Sequence, residues 1–123
     1  MRKFLSVLGG VAAAVLAMLA IEAVAHGINP SSRSGLVEAM TAPAKLIVAA
    51  GWFLATFAGA FAALRIANWP PAAWIVGLLV LAGGIANILA IPHPLWMQAA
   101  AVLLPLLAVA AALRLHARWA VPA

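Results

Sequence analysis

Four stretches of about twenty residues, each nearly free of charge, dominate this 123-residue chain and leave it few ways to fold. Inside a lipid bilayer every backbone donor and acceptor must be satisfied within the protein, so an apolar stretch of that length is stable as a spanning α-helix. The expected spans are residues 4–26, 44–67, 72–91 and 95–116. Polar or proline-rich breaks separate them: residues 27–43, with Asn29, Pro30 and three serines, then Asn68-Trp69-Pro70-Pro71, then Pro92-His93-Pro94. Proline lacks an amide donor and pushes the residue before it out of helical geometry, so each Pro-containing break ends a helix. Hydrophobic residues make up 68% of the chain and charged residues 7%, too few polar groups to cover a soluble body of this size. The expected fold is therefore all-α: an integral-membrane four-helix bundle formed by residues 1–123 as a single transmembrane domain.

Orientation is expected from the cations, because Lys and Arg concentrate in short cytoplasmic loops. Arg2 and Lys3 precede the first span, Arg65 closes the second, and Arg114 and Arg118 close the fourth, whereas Arg33 and Lys45 fall on the other side. Both termini are expected inside. Trp69, Trp74 and Trp119 fit an aromatic belt at that face and Trp96 one at the opposite face, while Trp52 falls a turn or two too deep. Because the cations are dispersed over segment ends, the net charge of +5 reads as a topology signal and no nucleic-acid partner is expected. The chain has no cysteine, which removes disulfides, thiol catalysis and thiolate metal sites. Met1-Arg2-Lys3 and Ala23-Val24-Ala25 also fit the ends of a cleaved secretory signal. The uncharged stretch between them is longer than such a segment needs, which favours a retained first span.

Helices in lipid associate where small side chains let backbones approach. Gly51, Ala55, Gly59 and Ala63 recur every four residues along the second span and form the expected packing seam. Pro105 interrupts the fourth span and is expected to kink it.

Polar groups inside a membrane span are costly, so the few present define the candidate site. Glu22 is the sole acid within a span, and His26 lies four residues on, on the same helical face. Asn87 is placed at similar depth near the end of the third span, and His93 occupies the Pro-His-Pro turn. Gly83, on the Asn87 face, is expected to admit a neighbouring helix. Three roles compete for this cluster: tying helix ends together, binding a proton, cation or small ligand, or holding a metal through Glu22, His26 and His93. No G-x-S-x-G, H-E-x-x-H or glycine-rich phosphate loop is present, so the expectation is a non-enzymatic protein without a cofactor, a metal-dependent membrane enzyme being the lesser alternative.

Residues 21–30, Ile-Glu-Ala-Val-Ala-His-Gly-Ile-Asn-Pro, together with Pro43 and residues 86–96, Ala-Asn-Ile-Leu-Ala-Ile-Pro-His-Pro-Leu-Trp, resemble a group of small bacterial inner-membrane proteins with four spans and no assigned activity. The resemblance covers nearly the whole chain; it implies a multi-pass inner-membrane location and singles out Glu22, His26, Asn87 and His93. More distantly, the chain is similar in size to small multidrug-resistance transporters, which carry an essential Glu in helix one; here Glu22 is near the helix end and the aromatic lining of that family has no counterpart. The expected function is binding of an ion or small ligand, or contact with a partner, at an outward-facing polar cluster. The alternative is a proton-coupled transporter acting as an oligomer. The lipid bilayer is the expected partner, with a homo-oligomer or a larger membrane complex beyond it.

Overall fold

The computed structural model describes residues 1–28, 42–90 and 94–119, without the side chains at 26–28, 42, 44 and 119. It contains four helices, α1 (Arg2–Ile28), α2 (Ala42–Ala67), α3 (Pro70–Ala90) and α4 (Leu95–Trp119), and each is long and apolar enough to cross a membrane. Large apolar side chains cover the outside, among them Leu16, Leu19, Leu78, Leu103 and Leu107, all more than half exposed. Water would penalise such a surface and a hydrocarbon solvent would not. The all-α membrane bundle expected from the sequence is the fold observed.

Helix α3 begins two residues earlier than the prolines had suggested. Pro70 and Pro71 occupy its first turn, where the amides have no intrahelical partner and a missing donor costs nothing. Helix α4 continues through Pro105, and the carbonyl of Pro94 accepts from the Met97 and Gln98 amides (3.0 and 3.1 Å) to start it.

Helices α2 and α3 each pack on all three others, while α1 and α4 scarcely meet among the described residues. The helices are drawn together by residues without bulk. A Cβ built on Gly59 would lie 2.6 Å from the Gly10 carbonyl oxygen, and one on Gly10 would lie 2.7 Å from the Gly59 carbonyl. Val76 of α3 wedges against both glycines. Ala60, Leu64, Ala73, Val109 and Ala112 form the adjoining layer between α2, α3 and α4. Among the described residues, the buried polar side chains are Ser6 and Thr56, which donate to the carbonyls of Lys3 and Trp52, each at 2.6 Å, and so place no unpaired hydroxyl in the core.

The start of α1, the turn between α2 and α3 and the end of α4 meet at one end of the bundle. The Arg2 Nε donates to the Ile66 carbonyl (2.8 Å), and Lys3 Nζ sits 4.9 Å from the Trp69 ring centre. Arg65, Arg114 and Arg118 are exposed close by in sequence to these contacts, giving the bundle a basic end. Asn68 leaves α2 with a positive φ of 48°, a conformation Asn tolerates better than most side chains. Its Oδ1 accepts from His116 Nε2 at 2.7 Å. His116 Nδ1 is buried with no hydrogen-bond partner, and its ring meets Phe61 edge-on. Asn68→Gly keeps the backbone freedom and loses only the hydrogen bond, so a stability loss of about 1 kcal/mol is expected in detergent unfolding. Asn68→Ala loses both and should cost about 2 kcal/mol. Equal losses in the two variants would mean that the left-handed backbone contributes nothing.

Candidate functional site

Away from the basic end, α1 and α3 part. Their close packing lies near that end, where Val7 and Val11 rest against the cluster of Ala63, Ala72 and Val76. Beyond it, α3 carries Gly83 and Gly84, and a Cβ on Gly83 would meet no atom within 4 Å. The expectation that Gly83 admits a neighbouring helix is not met: no helix closes on it, and the missing side chain leaves open space. On the far side, a Cβ built on Gly84 would stand 3.7 to 3.8 Å from Ala101 of α4, ordinary van der Waals contact. The result is a cavity of about 460 Å³ reached by all four helices. Ligand-sized pockets run from about 300 to 1,000 Å³.

Its lining residues are apolar apart from Glu22 and Asn87. Met18 of α1, Trp52 and Ala55 of α2, and Ala101 and Pro105 of α4 form the floor and sides. Trp52 therefore does not belong to an interfacial belt. It is 6% exposed and packs with Ala49, Met97 and Ala101, which explains a depth that suited neither membrane face. Glu22 from α1 and Asn87 from α3 line the same cavity, on the side opposite the basic end of the bundle, and supply its charged and amide groups. Both residues are exposed, with neither an ion pair nor a hydrogen bond among the described residues.

Of the four polar residues expected to converge, the structure brings Glu22 and Asn87 to one cavity. The His26 side chain and all of His93 lie outside the described residues. Among the described residues no three His, Cys, Asp or Glu side chains come together in a way that could hold a metal ion. The stripe of Gly51, Ala55, Gly59 and Ala63 is buried on α2. Gly51 abuts Ile21 of α1, with a built Cβ 2.6 Å from Ile21 Cγ2, one residue before Glu22. The seam thus fixes the height at which the carboxylate stands beside the cavity.

The sequence reading overlooked two features. The cavity itself depends on which glycine faces a helix and which faces a gap, information a single chain does not carry. The Asn68–His116 contact had a readable signal: an Asn just before Trp-Pro-Pro suits a left-handed helix end, and a His in the last turn of the fourth span falls at the same end of an antiparallel bundle. No protein-family model, curated protein or solved structure matches this chain.

Proposed function

We propose that the chain is a non-enzymatic, multi-pass protein of the bacterial inner membrane, with both termini inside, that binds a small ligand in the cavity capped by Glu22 and Asn87. The observation that carries this reading is a ligand-sized, apolar cavity whose charged and amide groups stand together at one end. A packed bundle without a ligand would gain dispersion energy by closing such a space, and Gly83 has room for a side chain that would fill it. The inside location of the termini is supported by the basic end, since Arg2, Lys3, Arg65, Arg114 and Arg118 all belong to it. A bacterial inner membrane is supported by the resemblance of residues 21–30 and 86–96.

A transport reading has one observation in its favour, a carboxylate at a cavity that ends against the Gly10, Gly59 and Val76 contact. Passage through the bundle would require that contact to open. Flux into liposomes that vanishes in Glu22→Gln would establish transport in place of simple binding.

Topology is testable with the natural sequence as background, because it contains no cysteine. In right-side-out membrane vesicles, Ser32→Cys should react with a membrane-impermeant maleimide. Arg65→Cys should react only after the vesicles are permeabilised. The opposite pattern would invert the orientation and put Glu22 at the cytoplasmic face.

A further inference from the structure

The shape of the cavity narrows the chemistry of its ligand, given the binding role proposed above. On α1 its lining runs from Val11 to Glu22, and on α3 from Leu79 to Asn87. At 1.5 Å per residue these edges are about 16 and 12 Å long, so the cavity is a slot parallel to the helices. Its lips are Val15 of α1 and Leu79 of α3, which are 51% and 52% exposed, on the lipid-facing surface of the bundle. The slot thus opens sideways towards hydrocarbon, is apolar along its length, and ends at a carboxylate and an amide.

From this geometry we infer that the slot binds an amphiphile with one hydrocarbon chain lying between α1 and α3 and an ammonium head held by Glu22 and Asn87. An inorganic cation is a poor match. Hard divalent ions take six or more oxygen ligands, and the lining offers one carboxylate and one amide. A sugar-like ligand would leave its hydroxyls unpaired against the Met18, Trp52 and Pro105 surface. An anionic head would face Glu22. An alkyl chain, in contrast, gains contact along the full slot, and an ammonium donates to both end groups. Two sources supply that chemistry: an amine-headed phospholipid of the bilayer, entering between the lips with one of its chains, or a free alkylammonium.

The test reads Trp52, which lines the slot. The full chain, with the other four tryptophans replaced by Phe, is placed in phosphatidylcholine nanodiscs and titrated with doxyl-labelled dodecylammonium. Saturable quenching of Trp52 is expected. Glu22→Gln should weaken it about tenfold, the size of one lost charge-assisted contact. Gly83→Leu should abolish it while helicity and unfolding midpoint are retained, because a side chain at that position enters open space. Labelled dodecanol should bind weakly and without regard to Glu22→Gln. If the alcohol saturates Trp52 as well as the amine does and Gly83→Leu blocks both, the cavity is a binding site and the ammonium assignment is overturned. If neither probe saturates, the binding site itself is overturned. Mass spectrometry of lipids retained through purification separates the sources. An amine-headed phospholipid held by the natural protein and lost in Gly83→Leu identifies the bilayer; its absence beside intact dodecylammonium binding identifies a free ligand.

Discussion

Gly59→Leu should abolish the folded bundle, and Gly59→Ala should destabilise it by about 1 to 3 kcal/mol, the range for forcing atoms into a filled core. The reason lies in what a side chain at this position would meet. A Cβ would stand 2.6 Å from the Gly10 carbonyl oxygen and 2.8 Å from Ala14 Cβ, and Val76 Cγ1 closes the third direction at 3.0 Å. The first obstacle is backbone in the middle of α1, so relief requires moving a whole helix. Gly10→Ala should behave alike, since its Cβ would stand 2.7 Å from the Gly59 carbonyl. In hydrocarbon no hydrophobic force compensates when two helices are pushed apart, because lipid tails are as apolar as the side chains they replace. The measurement is helicity and tryptophan emission during titration of the reconstituted protein with a denaturing detergent. Gly83→Ala supplies the control in the opposite direction: with no atom nearby, it should gain up to about 1 kcal/mol from helix propensity. A Gly59→Leu protein with the natural unfolding midpoint would place α1 elsewhere than against this face of α2.

These two glycines also mark how far the sequence could be read. The four spans were visible because length and hydropathy alone decide them, and the boundaries missed at Pro70 because a proline ends one helix and begins the next with equal ease. The face of α2 bearing Gly51 and Gly59 was visible through its four-residue spacing. Gly83 carries the same side chain in the same type of span, and reading it as a contact was wrong, since it borders a gap. Small residues permit close approach without requiring it, and only the positions of the other helices decide between the two. Trp52 illustrates the same limit. Its depth was calculable from the sequence, but whether it faced lipid or the interior depended on Met97 and Ala101 of a helix some fifty residues away. Glu22 and Asn87 stood out because polar groups in a span are rare. Their sharing of one cavity depends on α1 and α3 being adjacent, which the chain order does not state.

Gly77 provides the second large effect and a sharper check on side-chain packing. A Cβ at Gly77 would collide with Val109 Cγ2 of α4, while its other neighbour, Thr56 Cγ2, stands 3.9 Å away. Unlike the obstacle at Gly59, this one is a methyl group on a side chain, and it can be removed. Gly77→Ala alone should cost about 2 to 3 kcal/mol, because Val109 is fully buried and a β-branched side chain in a helix has essentially one allowed rotamer. Val109→Ala alone should cost about 2 kcal/mol through lost contacts with Ala60, Leu64 and Ala73. Combined, the methyl group added at 77 enters space that Val109→Ala vacates across the α3–α4 contact. The double variant should then lose only the roughly 2 kcal/mol of Val109→Ala alone, a coupling of about 2 to 3 kcal/mol, at the upper end for residues in direct contact. The same Val109→Ala change should do nothing for Gly59→Ala, whose obstacle is a carbonyl of α1. Additive losses at 77 and 109 would mean that α3 and α4 do not meet in this register. The Gly84 and Ala101 contact that bounds the far side of the cavity would then be lost with it, since both pairs lie on the same two helices.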